Sequence, residues 1–203
     1  MTLAVLAAIA LQVGTPHPGR LPIWWLLPLL ELVMLGTLLV IDPGRIDDRS
    51  ARVRRITVAM IALMAAGTLV GLGVLVYDIF NRPDLQAWDL LGRGAALWLT
   101  NIIVFSLLFW ELDRGGPAER AIASDIPLSF AFPENAMPEF AASGWTPRYP
   151  DYLYLAFTNA TAFSPTDTLP VTTWAKMTMM LESIVSLLTA VLVVARAINV
   201  LPG

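Results

Sequence analysis

The chain has 203 residues, 57% of them hydrophobic and 14% charged, with a net charge of −3 and a mean hydropathy of +0.67. Soluble domains carry about 25% charged residues, so this composition excludes an ordinary water-soluble protein. It points to an all-α integral membrane protein, one membrane domain over 1–203. With no cysteine and only His17 as histidine, the chain alone cannot form a disulfide, a Cys-ligated zinc or iron–sulfur site, or a bis-His haem, and no basic patch is large enough for nucleic acid.

In chain order, "TLAVLAAIALQV" (2–13) is apolar but covers only about 18 Å as helix, against a hydrocarbon core of about 30 Å. It predicts a short N-terminal helix at the interface or packed as a partial span. No Lys or Arg precedes it, unlike the positive start of a secretory signal, so it reads as part of the mature chain. "GTPHPGR" (14–20) is the turn that follows.

Four stretches have the length and apolarity of spans: Leu21–Ile41, Ile56–Phe80, Leu90–Trp110 and Trp174–Leu201. Arg93 lies near one end of the third, from where it can snorkel to water. The second carries "GTLVG" (67–71), whose small residues let helix backbones approach closely. Between spans, "DPGRIDDRSARVRR" (42–55), with five Arg, predicts a solvated loop, and "NRPDLQAWD" (81–89) a short polar turn. Residues 112–150 hold six prolines and Phe130, Phe132, Phe140, Trp145 and Tyr149. That is too aromatic for a disordered linker, and predicts an ordered, largely extended cap at headgroup level.

Ionisable groups at bilayer depth cost about 2.5–3.5 kcal/mol on insertion scales. Glu31, Asn101 and Glu182 fall inside spans and should face protein or water. They could serve an ion or proton path, or form interhelical hydrogen bonds with a carboxyl kept neutral by burial. "WELDRGGPAERA" (110–121) places Glu111, Asp113 and Arg114 at a span exit. A membrane enzyme could use such carboxylates; the simpler reading anchors Trp110 at the interface, lets the charges meet water and stops the helix at Gly115-Gly116-Pro117. With no His or Cys nearby, an enzyme is not expected.

"DYLYLAFTNATAFSPTDTLP" (151–170) can be read twice. Locally, Ser164 as N-cap, Pro165 at N1 and Asp167 at N3 fit a helix start, Pro170 ends that turn, and Thr172 or Thr173 caps the last span. As a block, a half-length apolar helix at about 151–163, a polar turn and a long span outline a re-entrant loop, where non-helical backbone must be buried in protein or line a wet cavity.

Residues 152–197 resemble the pore module of two-helix potassium channels, with its pore helix, Thr-Thr-Val-Gly-Tyr-Gly-Asp filter and inner helix. Without gaps, Thr161-Ala162-Phe163-Ser164-Pro165-Thr166-Asp167 falls on the filter run, and Tyr154 and Phe157 fall on aromatic positions of the pore helix. "MLESIVSLLTAVLVVARAI" (180–198) is similar to the inner helix, with Glu182 and Arg196 fourteen apart and Ser186 at the hinge glycine. "WELDRGGP" and "TNATAFSPTDT" also resemble strings shared by a set of bacterial multi-pass membrane proteins. The filter departs from the family pattern. Its glycines, which reach backbone angles other residues avoid, are Ser164 and Thr166; Pro165, with φ fixed near −65°, stands between them; Ala162 replaces the filter threonine. A potassium-type carbonyl ladder is therefore not expected. What the resemblance leaves is a polar mouth of Thr161, Ser164, Pro165, Thr166, Asp167 and Thr168, with Glu182, Arg196, Asn101 and Glu31 as supporting polar groups.

The charge pattern and the resemblance disagree on orientation. Loop 42–55 with Arg114 and Arg120 outweighs Arg20, Arg82, Arg93 and Arg196 on the other side, and positive-inside makes the first side cytoplasmic. A potassium-type pore loop enters from outside, yet this one lies on the Arg-rich side. The sequence therefore predicts four transmembrane helices, a short N-terminal helix and a re-entrant pore-type half-helix. The expected protein is a homo-oligomer in the bacterial inner membrane, tetrameric if channel-like. It binds or conducts a small inorganic cation and carries no cofactor. The alternatives are a non-conducting structural or partner-binding protein with the same outline and, third, a membrane enzyme using intramembrane carboxylates.

Overall fold

The computed structural model describes residues 1–14, 25–41, 51–82, 85–122, 126–137, 139, 142, 144–162 and 167–200. The elements are α1 (Thr2–Gly14), α2 (Leu26–Ile41), α3 (Ala51–Asn81), α4 (Ala87–Leu112), α5 (Pro117–Ile122), β1 (Phe130–Ala131), α6 (Pro133–Ala136), α7 (Tyr149–Ala162), β2 (Leu169–Pro170) and α8 (Thr173–Val200). Three helices are long and apolar enough to cross a membrane: Val53–Asn81, Ala87–Gly115 and Thr173–Asn199. The expected span at Leu21–Ile41 is represented by the 16 residues of α2, about 24 Å at 1.5 Å per residue; residues 21–24 lie outside those described.

α4 is the centre of the bundle. Half of its apolar window is buried, against a third for the other two long helices, because it packs against α1, α3, α7 and α8. One core cluster joins α1, α2, α3 and α4 through Val5, Ala8, Leu35, Met60, Met64 and Leu107. Another joins α4 to α7, α8 and the cap through Phe105, Phe109, Phe130, Tyr152, Leu155 and Met179.

Small residues set how closely the helices meet. A Cβ built on Gly94 would lie 2.7 Å from Val193 Cγ2, so α4 and α8 touch where neither allows a larger side chain. The two glycines of "GTLVG" serve different partners: Gly67 receives Leu27 of α2 and Gly71 receives Leu97 of α4.

The described residues between 112 and 150 pack around their aromatic side chains and are less extended than expected. They include α5, α6 and β1, which pairs antiparallel with β2 in the register Phe130 to Pro170 and Ala131 to Leu169. Phe140 lies outside the described residues. The expected loop 42–55 is helical from Ala51 onward, where Val53 is buried. A helix start at 164–167 is not formed at its described part: Asp167 and Thr168 are a bend leading into β2. Thr172 caps α8, its Oγ accepting from the Ala175 amide at 3.4 Å.

Candidate functional site

α7 has 14 residues, about 21 Å of helix, which is short of a bilayer core. Its first residue, Tyr149, hydrogen-bonds Ser106 through its hydroxyl (2.9 Å) and sets its ring edge-on to Trp110. Eight residues later Phe157 meets Trp98, eight residues back along α4. α7 therefore runs antiparallel down α4 for about 12 Å between those contacts. The chain then comes back. Leu169 and Pro170 pair with β1, and the Val171 amide donates to the Ser129 carbonyl (2.8 Å). Phe130 stacks on both Phe109 of α4 and Trp174 of α8. Both ends of the 149–173 segment thus meet the same end of α4.

Side-chain amides tie α7 to α8, and α4 to α8. Asn159 Nδ2 donates to Glu182 Oε2 (2.7 Å) and to the Met179 carbonyl (2.9 Å), while Ser183 Oγ donates to the Asn159 carbonyl (3.4 Å). Asn101 Nδ2 donates to the Glu182 carbonyl (3.2 Å) and to Ser186 Oγ (3.0 Å). Glu182, Asn101 and Ser186 are buried. Burial of so much hydrogen-bonding capacity is tolerable because most of it is paired; Glu182 Oε1 and Asn101 Oδ1 are the two acceptors here left without a hydrogen bond.

The expected mouth residues are only partly described. Ser164, Pro165 and Thr166 lie outside the described residues. Thr161 is exposed at the end of α7, with its hydroxyl turned back to the Phe157 carbonyl (2.8 Å). Asp167 is exposed and Thr168 buried. Tyr154, Phe157 and Thr161 share the exposed face of α7. Of the supporting groups, Glu182 and Asn101 come together. Glu31 is buried elsewhere, accepting from Gln12 Nε2 at 3.4 Å. Arg196 lies fourteen residues beyond Glu182 on α8, about 21 Å along the helix.

Asp113 organises a second polar centre that the sequence placed in water. Asp113 is fully buried and Glu111 nearly so. Local backbone geometry causes this burial. Arg114 takes φ +46°, Gly115 +78° and Gly116 +98°, a left-handed run that glycine tolerates and that folds α5 and β1 back over the α4 terminus. Asp113 Oδ1 then accepts from the Ser129 amide (3.1 Å) and Oδ2 from the Tyr152 hydroxyl (2.5 Å). Arg120 donates to the Trp110 and Asp113 carbonyls (2.8 and 2.7 Å) and lies over the rings of Trp110 and Tyr152. Burial, and next the Asp113 charge, push the Tyr152 phenol above its usual pKa, so it remains a donor. Tyr152, Ser129 and Asn159 are not singled out by the sequence, and Arg120 enters there only in the charge count. Only the charge density of "WELDRGGPAER" and the polar run after Phe157 hinted at them.

A cavity of about 320 Å³ lies between the end of α1 and the start of α4, lined by Leu11, Gly14, Trp88, Asp89 and Arg93. It is not lined by Glu31, Glu111, Asp113 or Glu182, the carboxylates an intramembrane enzyme would need to join. Beside it Arg93 pairs with Asp78 at 3.0 Å. Among the described residues no group of three or more His, Cys, Asp or Glu side chains could hold a metal ion. The chain matches no protein-family model, no curated protein and no solved structure.

Proposed function

We propose that the chain is a pore-loop protein of the bacterial inner membrane that assembles as a homo-oligomer and binds or conducts a small inorganic cation. The observation that carries this reading is that α7 runs down α4 while Leu169 and Pro170 are back at the end where α7 begins, with α7 pinned to α8 by Asn159 and Glu182. In this reading α2, α3, α4 and α8 are the four spans, α1 a short partial helix, and α7 a re-entrant half-helix. In this reading Thr161 and Asp167, both exposed in the single chain, face an axis between copies together with Ser164 and Thr166, while Thr168, buried within the chain, backs them. A ring of Asp167 side chains favours cations. Potassium-type selectivity is not part of the proposal, because Ser164, Pro165 and Thr166 stand where a carbonyl ladder needs two glycines.

The test is cation flux into liposomes holding purified protein, with subunit number measured by light scattering in detergent. Flux that Asp167→Asn abolishes supports the channel. A stable monomer without flux supports the second reading, a non-conducting structural or partner-binding protein. That reading is favoured by one observation: the polar side chains of α7 and α8 described at depth are bonded within the chain.

A further inference from the structure

The fold sorts the cationic side chains by end, and that sorting assigns a side to the half-helix. Arg54 Nε comes within 3.8 Å of the position a Cβ on Gly116 would take, so the start of α3 and the end of α4 lie together. Arg55 adjoins it, Arg114 and Arg120 follow α4, Arg148 directly precedes α7, and Lys176 is in the first turn of α8. Arg54, Arg55, Arg148 and Lys176 are exposed. At the opposite end stand Arg82, Arg93 and Arg196, and Arg93 is committed to Asp78. Arg148 and Lys176 flank the down-and-back segment itself, so the segment starts and finishes inside the cationic collar.

We infer that the collared end faces the cytoplasm and its anionic lipid headgroups, so that α7 enters the bilayer from the inside. Lys and Arg near span ends are retained on the cytoplasmic side, while acids have little influence, and the inner leaflet carries the negative surface charge that attracts such residues. The inference rests on the membrane and hairpin reading above, and sets its mouth opposite in sidedness to that implied by the potassium-channel resemblance.

The absence of native cysteine permits a direct test that leaves the charge unchanged. Thr146→Cys and Thr173→Cys bracket the segment at the collared end, and Gln86→Cys marks the other; all three positions are exposed. A membrane-impermeant maleimide is applied to intact bacterial cells and to inverted vesicles, with full labelling after detergent as the reference. Thr146→Cys and Thr173→Cys should be modified in inverted vesicles and protected in cells, and Gln86→Cys the reverse. The opposite pattern overturns the sidedness and leaves the hairpin standing. Modification of Thr146→Cys and Thr173→Cys from opposite faces overturns the hairpin. Failure of both to react in inverted vesicles overturns the inference whatever the cells show. None of these readouts depends on flux.

Discussion

Asn159 and Glu182 meet at 2.7 Å through a side-chain amide and a buried carboxyl oxygen. This bond fixes how deep the lower end of α7 sits against α8. Each partner has a further role: Asn159 also holds the Met179 carbonyl, and the Glu182 carbonyl holds Asn101. The position of α7 is thereby coupled to the α4–α8 contact.

Removing one partner of this buried bond leaves the other unsatisfied, at about 1–3 kcal/mol. Asn159→Ala and Glu182→Ala should each lower thermal stability in detergent by such an amount. Glu182→Gln retains an amide oxygen to accept from Asn159 and should cost less than Glu182→Ala. A double-mutant cycle between the two sites should show coupling of at least about 0.5 kcal/mol; additive losses would show that the bond does not couple the helices.

Tyr152 and Asp113 are linked by a 2.5 Å hydrogen bond. Tyr152→Phe removes a donor from a buried carboxylate and should cost about 1.5–3 kcal/mol. The pH dependence carries a sign. The folded phenol titrates above its unfolded value of about 10, so its stabilisation is complete below about pH 10 and lost as pH rises from there through the folded value. Thermal unfolding followed from pH 7 to 11.5 should show an alkaline decline that is shallower in Tyr152→Phe.

Gly94 and Val193 mark a close crossing of α4 and α8. Gly94→Ala places a methyl within 3 Å of the valine branches and should destabilise by about 1–3 kcal/mol, the usual cost of overpacking. Val193→Ala opens the space, so the double variant should recover part of the loss. If Gly94→Ala is neutral by thermal unfolding, the helices do not meet there as described.

Arg120 is bonded to two carbonyls and stacked on two rings, geometry that a planar guanidinium satisfies and an ammonium does not. Arg120→Lys should therefore lose most of what Arg120→Met loses. Protease resistance of the cap between residues 112 and 150 is a direct readout. A lysine variant as resistant as the parent would show that charge alone suffices.

Much of the architecture could be read from the chain. Apolar runs long enough to span lie where α3, α4 and α8 form, because span length is set by a local sum of side-chain hydrophobicity. The stop at Gly115-Gly116-Pro117 was equally visible, since positive φ and a missing amide are properties of single residues. The short helices α1 and α7 followed from counting apolar residues.

What the chain could not show is which polar groups meet. Asn101 finds Ser186 across 85 positions, and Asp113 finds Ser129 and Tyr152 only because the left-handed turn folds the cap over the end of α4. A carboxylate at a span exit reads as solvated when only its neighbours in sequence are counted. Tertiary packing buried it, by bringing donors from remote segments close enough to replace water. Hydrophobicity, summed locally, set which segments form long helices. Close approach between distant residues decided where the polar side chains settled.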